Sequence, residues 1–160
     1  MKTDHIHVVP FSTELREHFE TLNKEWIVKL FELEEKDKYV LGNPEEAIIA
    51  YGGQIFFALA EEGVVGTCAL VKVNDSTFEI SKMAVTEKFR GMGIGNLLMA
   101  HAIAVARARK VRHLVLYSNT GLKSALHMYR KFGFKEVPKT EFHSKRANVK
   151  MQLSLKASFI

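Results

Sequence analysis

The residues best equipped for chemistry lie in one stretch, Met83-Ala84-Val85-Thr86-Glu87-Lys88-Phe89-Arg90-Gly91-Met92-Gly93-Ile94-Gly95-Asn96. Glycine recurs at every second position from 91 to 95, directly before an apolar run of helical period. Such spacing leaves backbone N–H groups uncovered where a helix begins, and the partial positive charge of a helix N-terminus favours an anion. The chemistry is that of a phosphate cradle, and the Arg90 guanidinium adds a charge-assisted contact to the same diphosphate. Asn96 stands where a dinucleotide fingerprint requires glycine, and no Gly-Lys-Ser/Thr follows to make a Walker A loop.

Two titratable residues flank this cradle in sequence. Glu79 is the sole carboxylate of the strand expected before it, with Lys82 on the opposite face; it reads as a general base or as an ordinary strand-surface charge. Tyr129, on a later helix, reads as a weak acid or as a core aromatic. Other polar residues carry less weight. His101 falls on the apolar stripe of a helix and reads as a hydrogen-bonded core histidine. His5 and His7 share a strand face without a further ligand at zinc spacing, so no metal is expected. Cys68, the single cysteine, sits among Val65, Ala69 and Leu70 and reads as buried filler.

The elements that must position these groups follow from period and turn chemistry. His5 to Val9 is a short β-branched run. Ser12 and Thr13, followed by Glu14, Arg16 and Glu17, signal a helix start. Leu15, Phe19, Leu22, Trp26, Leu30 and Leu33 recur at helical spacing, predict one helix toward Leu33, and place Trp26 and Phe19 in the core. Pro44-Glu45-Glu46 opens a shorter helix through about Ala50. Ile55 to Ala60, Val64 to Val73 and Thr77 to Val85 are strands, separated by the turn sequences Glu61-Glu62-Gly63 and Asn74-Asp75-Ser76. Phe56 and Phe57 are expected in core on both faces of the first of them. Gly95 to Arg109 is helical, His113 to Tyr117 a strand, and Leu122 to Phe132 a helix stopped by Gly133. Phe134 to Val137 and the alternating Ala147, Val149, Met151, Leu153 and Leu155 are the last strands. A meander followed by strand-helix-strand makes a mixed sheet in an α+β domain.

Composition sets the outer bounds. The chain has 160 residues, 47% hydrophobic and 26% charged, enough for one domain without disulfide staples. A lone cysteine excludes an internal disulfide and fits a reducing compartment. Met1 to Pro10 lacks the apolar centre of a secretory signal. The run Leu97 to Ala106, interrupted by His101, is too short to span a bilayer, so a cytoplasmic protein without membrane partners is expected. Residues 1–80 hold 7 Lys/Arg against 15 Asp/Glu, and residues 81–160 hold 16 against 3. That split argues against a continuous basic stripe for nucleic acid and fits a protein holding an anion with its second half and a cation with its first. Glu32, Glu34, Glu35 and Asp37 gather between the first two predicted helices, where they read as an acidic lip for a cationic amine or as a solvated helix end.

Three blocks in order and spacing resemble the GNAT superfamily of acyl-CoA N-acyltransferases. Arg90-Gly91-Met92-Gly93-Ile94-Gly95 is similar to its Arg/Gln-x-x-Gly-x-Gly/Ala loop. Phe78-Glu79-Ile80-Ser81-Lys82-Met83-Ala84-Val85 looks like its fourth strand, and Tyr129-Arg130-Lys131-Phe132-Gly133-Phe134 looks like its Tyr-x-Lys-x-Gly-Phe signature. The resemblance covers residues 78–134 and implies a mixed, mostly antiparallel sheet of about seven strands flanked by four helices, in a single N-acetyltransferase domain over residues 1–160. It further implies that Arg90, Gly91, Met92, Gly93, Ile94 and Gly95 bind the coenzyme A pyrophosphate. Met83 and Val85 would lend backbone groups to the pantetheine arm, and Asn119 matches an asparagine that often contacts it. Glu79 matches a glutamate that some members use as base, often through water, and Tyr129 a tyrosine beside the sulfur. Leu122 departs from the pattern, since many members have asparagine there.

Acyl transfer to nitrogen has needs of its own. A lysine-like amine of pKa about 10.4 is neutral in only about one molecule in two thousand at pH 7, so a base is required. The thioester oxygen needs a preorganised donor, and the departing thiolate is helped by a weak acid. The expected activity is an acetyl-CoA-dependent N-acetyltransferase acting on a primary amine, a small molecule or a protein amino group. Direct transfer in a ternary complex is expected, because no nucleophile with an adjacent base is apparent. The alternative is a non-catalytic acyl-CoA-binding sensor of the same fold. The oligomeric state, monomer or homodimer, stays open.

Overall fold

Turn chemistry makes the first half of the sheet. The Asn74 side-chain oxygen accepts the backbone N–H groups of Ser76 and Thr77, closing the turn that the Asn-Asp-Ser sequence predicts. The computed structural model describes residues 5–155. In chain order these are β1 (His7–Pro10), a 3-10 turn (Thr13–Leu15), α1 (Arg16–Leu30), α2 (Glu35–Gly42), α3 (Pro44–Ala47), a 3-10 turn (Ile49–Tyr51), β2 (Gln54–Ala60), β3 (Gly63–Lys72) and β4 (Thr77–Val85). A 3-10 turn (Glu87–Phe89), α4 (Ile94–Ala108), β5 (His113–Ser118), α5 (Lys123–Lys131), β6 (Lys135–Val137) and β7 (Val149–Ser154) follow. The seven strands form one sheet in the order β1-β2-β3-β4-β5-β7-β6. All neighbours are antiparallel except β4 and β5. The α+β class and the mostly antiparallel sheet are as expected, with five α-helices rather than four.

The additional helix is α2. The expected first helix stops at Leu30, where Phe31 turns extended (φ −144°), instead of running to Leu33. A capping box then starts α2, the Glu34 carboxylate receiving the N–H of Asp37 while Asp37 receives that of Glu34. This reciprocal arrangement satisfies two N–H groups that a helix start leaves unpaired. Ser12 precedes the first turn as expected, but its side chain caps nothing; Leu15 N–H bonds to the Ser12 carbonyl instead.

Helices cover both faces of the sheet. On one, Phe19, Leu41, Ile48, Ile55, Phe57 and Ala69 pack beneath α1 to α3. On the other, Phe56, Cys68, Leu70, Ile80, Leu98, Met99, Leu114, Leu116 and Met151 pack with α4 and α5. Phe56 and Phe57 thus enter opposite cores, as a two-residue period requires. Among the described residues no helix is long and apolar enough to cross a membrane.

One irregularity positions the site. β4 and β5 pair only at Thr77 with His113, Phe78 with Leu114 and Glu79 with Val115. Beyond Glu79, β4 runs on beside β3 to Val85 while β5 runs on beside β7 to Ser118. The sheet opens into a V, and its inner edges carry backbone groups that no neighbouring strand satisfies.

Candidate active site

The V forms a cleft lined by Trp26, Leu30, Met83, Ala84, Val85, Arg90, Leu122, Ser124, Ala125 and Tyr129. Arg90 Nε donates to the Val85 carbonyl at 3.2 Å, which shows that this carbonyl points away from β3. A strand residue's N–H and C=O leave by the same edge and alternate along the chain. Val85 therefore presents backbone groups to the cleft, which Met83 also lines. At its mouth Gly91 (φ +78°) and Gly93 (φ +83°) adopt the left-handed conformation that side chains disfavour. Gly93 is the N-cap of α4, and Leu97 N–H is the amide that reaches back to its carbonyl. The N–H groups of Ile94, Gly95 and Asn96 consequently have no intrahelical acceptor. A Cβ built on Gly91 would meet nothing within 4 Å, so the cradle is open to a ligand. Amides aimed out of a helix start, an adjacent guanidinium and an open approach fit the pyrophosphate of coenzyme A.

A second cavity continues inward from this cleft. Trp26, Met83, Leu122 and Tyr129 line both, and Glu79, Ser81, Lys82, Tyr117, Asn119, His143, Ser144 and Arg146 line the inner one. Trp26, expected in the core, is half-buried at the junction with its indole Nε1 buried and unpartnered. Ile27 takes the core place, fully buried, and Leu30 is 54% exposed. A helix that borders a cleft with one flank shifts its buried stripe away from that flank.

Lys82 is a correction to the sequence reading. Strict alternation puts it opposite Glu79, but β4 is bulged here: Ala69 pairs with Ser81 and Thr67 with Ala84, leaving Lys82 and Met83 opposite a single residue. Lys82 takes φ +53°, and the extra residue resets the alternation. Glu79, Ser81 and Lys82 all line the same pocket on the α2 side.

There Lys82 meets Asp37. Lys82 Nζ donates to Asp37 Oδ1 at 2.7 Å, and Arg146 donates to both oxygens at 2.8 Å. Asp37 is 3% exposed. Burial alone would raise its carboxyl pKa, but hydrogen bonds from Arg146 and Lys82, the Lys82 charge and the Glu34 N–H hold it well below the usual carboxylate range. Burial lowers the Lys82 ammonium below the ordinary lysine value, against the pull of Asp37. Arg146 also lies 3.6 Å from Glu34, and Lys145 lies 3.5 Å from Glu32. Asp37 and Glu34, the buried and half-buried members of the acidic cluster, are therefore no open lip for a cationic amine. Their carboxylates are matched by the protein's own cations, and part of the charge split between the halves closes on itself in this way.

Glu79 keeps a different partner. Its Oε2 lies 2.8 Å from His143 Nε2, and its side chain is 14% exposed. His143 stacks on Tyr117 with ring centroids 4.0 Å apart and planes inclined by 15°. The Tyr117 hydroxyl in turn donates to Glu141. His143 and Arg146 were not identified from the sequence.

Tyr129 stands where the two cavities meet. Burial, with a smaller contribution from nearby Cys68, pushes its hydroxyl up to about 12, so it stays a proton donor through the neutral range. Cys68 is fully buried and burial pushes its thiol up to about 12, in keeping with the reading as filler. Asn119 lines the inner cavity, yet its amide donates to the Arg146 carbonyl at 2.7 Å and its oxygen accepts from Gly121 N–H at 2.8 Å. The first bond ties the β5–α5 loop to the segment carrying His143, and the second closes a turn within the loop. His101 packs edge-on against Phe56 at 4.7 Å, and burial lowers its pKa. His5 and His7 are exposed. Among the described residues no three His, Cys, Asp or Glu are grouped to hold a metal.

A V-shaped opening at a β-bulge thus meets a glycine cradle at a helix start. The family model described as the acetyltransferase (GNAT) family matches residues 13–134, and the chain belongs to that family. It is 35% identical over 101 residues to an uncharacterized N-acetyltransferase of Chlorobaculum tepidum, covering 62% of this chain and 61% of that protein. The chain spans less than two thirds of the length of the curated relatives it matches. A GNAT-family acetyltransferase of Staphylococcus aureus Mu50 superposes with a TM-score of 0.84 at 21% identity, over 94% of this chain and 99% of that one. A GNAT-family acetyltransferase of Elizabethkingia anophelis with acetyl-CoA bound superposes with a TM-score of 0.63 at 21% identity, over 95% and 99% of the two chains.

Proposed function

We propose that the protein is an N-acetyltransferase that moves the acetyl group of acetyl-CoA directly to a primary amine. The observation that carries the proposal is the meeting of two cavities at Tyr129 and Met83, with the phosphate cradle at the outer end and a carboxylate, Glu79, in the inner one. Arg90 and the amides from Gly91 to Gly95 bind the pyrophosphate. Met83 and Val85 hold the pantetheine arm through backbone groups, and a β4 N–H polarises the thioester carbonyl. Asn119 shapes the loop beside the arm. Glu79 accepts the proton of the incoming ammonium, directly or through water, so that the amine attacks neutral. Tyr129 donates toward the departing sulfur. Holding both reactants in adjoining cavities supplies much of the rate by proximity.

The acceptor enters from the side of Glu79 and His143, where Ser81 and Ser144 offer further hydrogen bonds. An amine on a small molecule or a protein chain suits this cavity. Thiol release from acetyl-CoA across a panel of amines, peptides and aminoglycosides tests the proposal. Turnover with one acceptor class, lost in Glu79→Gln, supports it; tight acetyl-CoA binding with no turnover on any amine establishes the sensor instead.

A further inference from the structure

We propose that His143 is the positioning residue of the Glu79 base, donating its Nε2–H to one carboxylate oxygen and leaving the other for the acceptor. The inference rests on the proposed role of Glu79 and names the part of the molecule that aims it.

An ionised carboxylate has no proton to give, so the 2.8 Å contact between Glu79 Oε2 and His143 Nε2 requires the proton on Nε2. The other ring nitrogen agrees, because Nδ1 is buried with no hydrogen-bond partner. A proton there would be a buried, unsatisfied donor, whereas a bare lone pair is the smaller penalty. The imidazole is thus a donor through Nε2 alone, with its plane fixed by stacking on Tyr117. Tyr117 is in turn held by its hydroxyl bond to Glu141, which also meets Lys150 at 3.1 Å. The chain just after His143 is pinned as well, Lys145 N–H donating to Glu34 and Arg146 gripping Asp37. Among the described residues no group hydrogen-bonds Glu79 Oε1. Lys82 also faces this carboxylate, but its ammonium is turned to Asp37. One oxygen is therefore engaged and the other free, the arrangement a base needs when its lone pair must meet an incoming ammonium at a defined angle.

Ring and donor can be separated by two substitutions. His143→Phe keeps the stacked ring and removes the N–H; His143→Gln places an amide N–H near the Nε2 position and removes the ring. With an acceptor identified by thiol release, His143→Phe should lower kcat by about tenfold to a hundredfold with acetyl-CoA affinity unchanged, and His143→Gln should stay within about threefold of the parent. The reverse order, equal loss in both, or no loss in either overturns the inference. Glu79→Gln is measured alongside, and an unchanged kcat there overturns the base reading itself. A readout needing no acceptor comes from long-range ¹H–¹⁵N NMR of the imidazole. It should show the Nε2–H tautomer, and a proton on Nδ1 instead would refute the proposal.

Discussion

Replacing Asp37 by asparagine tests the ion cluster that forms the far wall of the inner cavity. The carboxylate accepts from Lys82 at 2.7 Å, from two Arg146 nitrogens at 2.8 Å and from the Glu34 N–H at 2.9 Å. Asparagine keeps the shape, loses the charge, and turns an NH₂ toward a cation. Removing one partner of a buried ion pair costs about 3–5 kcal/mol, because the remaining charges stay buried and uncompensated. For a chain of this length that corresponds to a Tm lower by roughly 6–20 °C. The pH dependence follows from the depressed carboxyl. A group whose folded pKa lies below its unfolded value of about 3.9 stabilises fully above that value and loses the contribution as pH falls through the folded one. The gap between parent and Asp37→Asn should therefore be constant through neutral pH and narrow below about pH 4. Urea titrations at several pH values measure it. Adding Lys82→Met should recover part of the loss by removing one stranded charge. A gap under about 1 kcal/mol at neutral pH, or one that widens on acidification, would refute the reasoning.

Three further outcomes are expected. Gly93→Val forces a branched side chain into φ +83° at the mouth of the cradle, so calorimetry should register coenzyme A binding weakened at least about tenfold; unchanged affinity rejects the cradle. Tyr129→Phe should lower kcat about tenfold to a hundredfold with little change in acetyl-CoA affinity. Because the hydroxyl is pushed up to about 12, it is protonated throughout the neutral range, and steady-state kinetics should find that loss equal from about pH 6 to about pH 9. Cys68, buried with its thiol pushed up to about 12, should resist thiol reagents in the folded protein and react once denaturant is added; rapid labelling of the native protein contradicts its burial.

What was legible in the sequence is what neighbouring residues decide among themselves. The cradle is a local motif, β2, β3 and β4 are apolar runs divided by turn residues, and α4 carries a helical period, so their places followed from pattern alone. α2 escaped because Glu35–Gly42 buries only Asp37 and Leu41, too few apolar residues to draw a stripe. Lys82 was set on the wrong face because alternation assumes a regular strand, and the bulge that breaks it depends on pairing with β3. His143 was missed for a different reason. It lies between β6 and β7 with no periodic pattern around it, and its partner is 64 residues away. The acidic residues of positions 32–37 were visible, but the cations that match them, Lys82, Lys145 and Arg146, are distant in sequence and only folding brings them together.

The far wall of the inner cavity also has a place in time. Asp37 and Arg146 close a separation of 109 residues, and Glu79 and His143 one of 64, whereas the cradle is built within one short stretch. Long closures form late, because chain entropy must be spent before the contact returns anything. During synthesis the chain lays down β4, the cradle and α4 well before residues 141–146 emerge. By this ordering the cleft at the cradle is an early structure and the cavity around Glu79 a late one, completed only when residues 141–146 fold back onto residues 34–37. On the proposed function, a nascent chain that has not yet made that return has its coenzyme A cradle laid down with nothing to aim Glu79 at an amine.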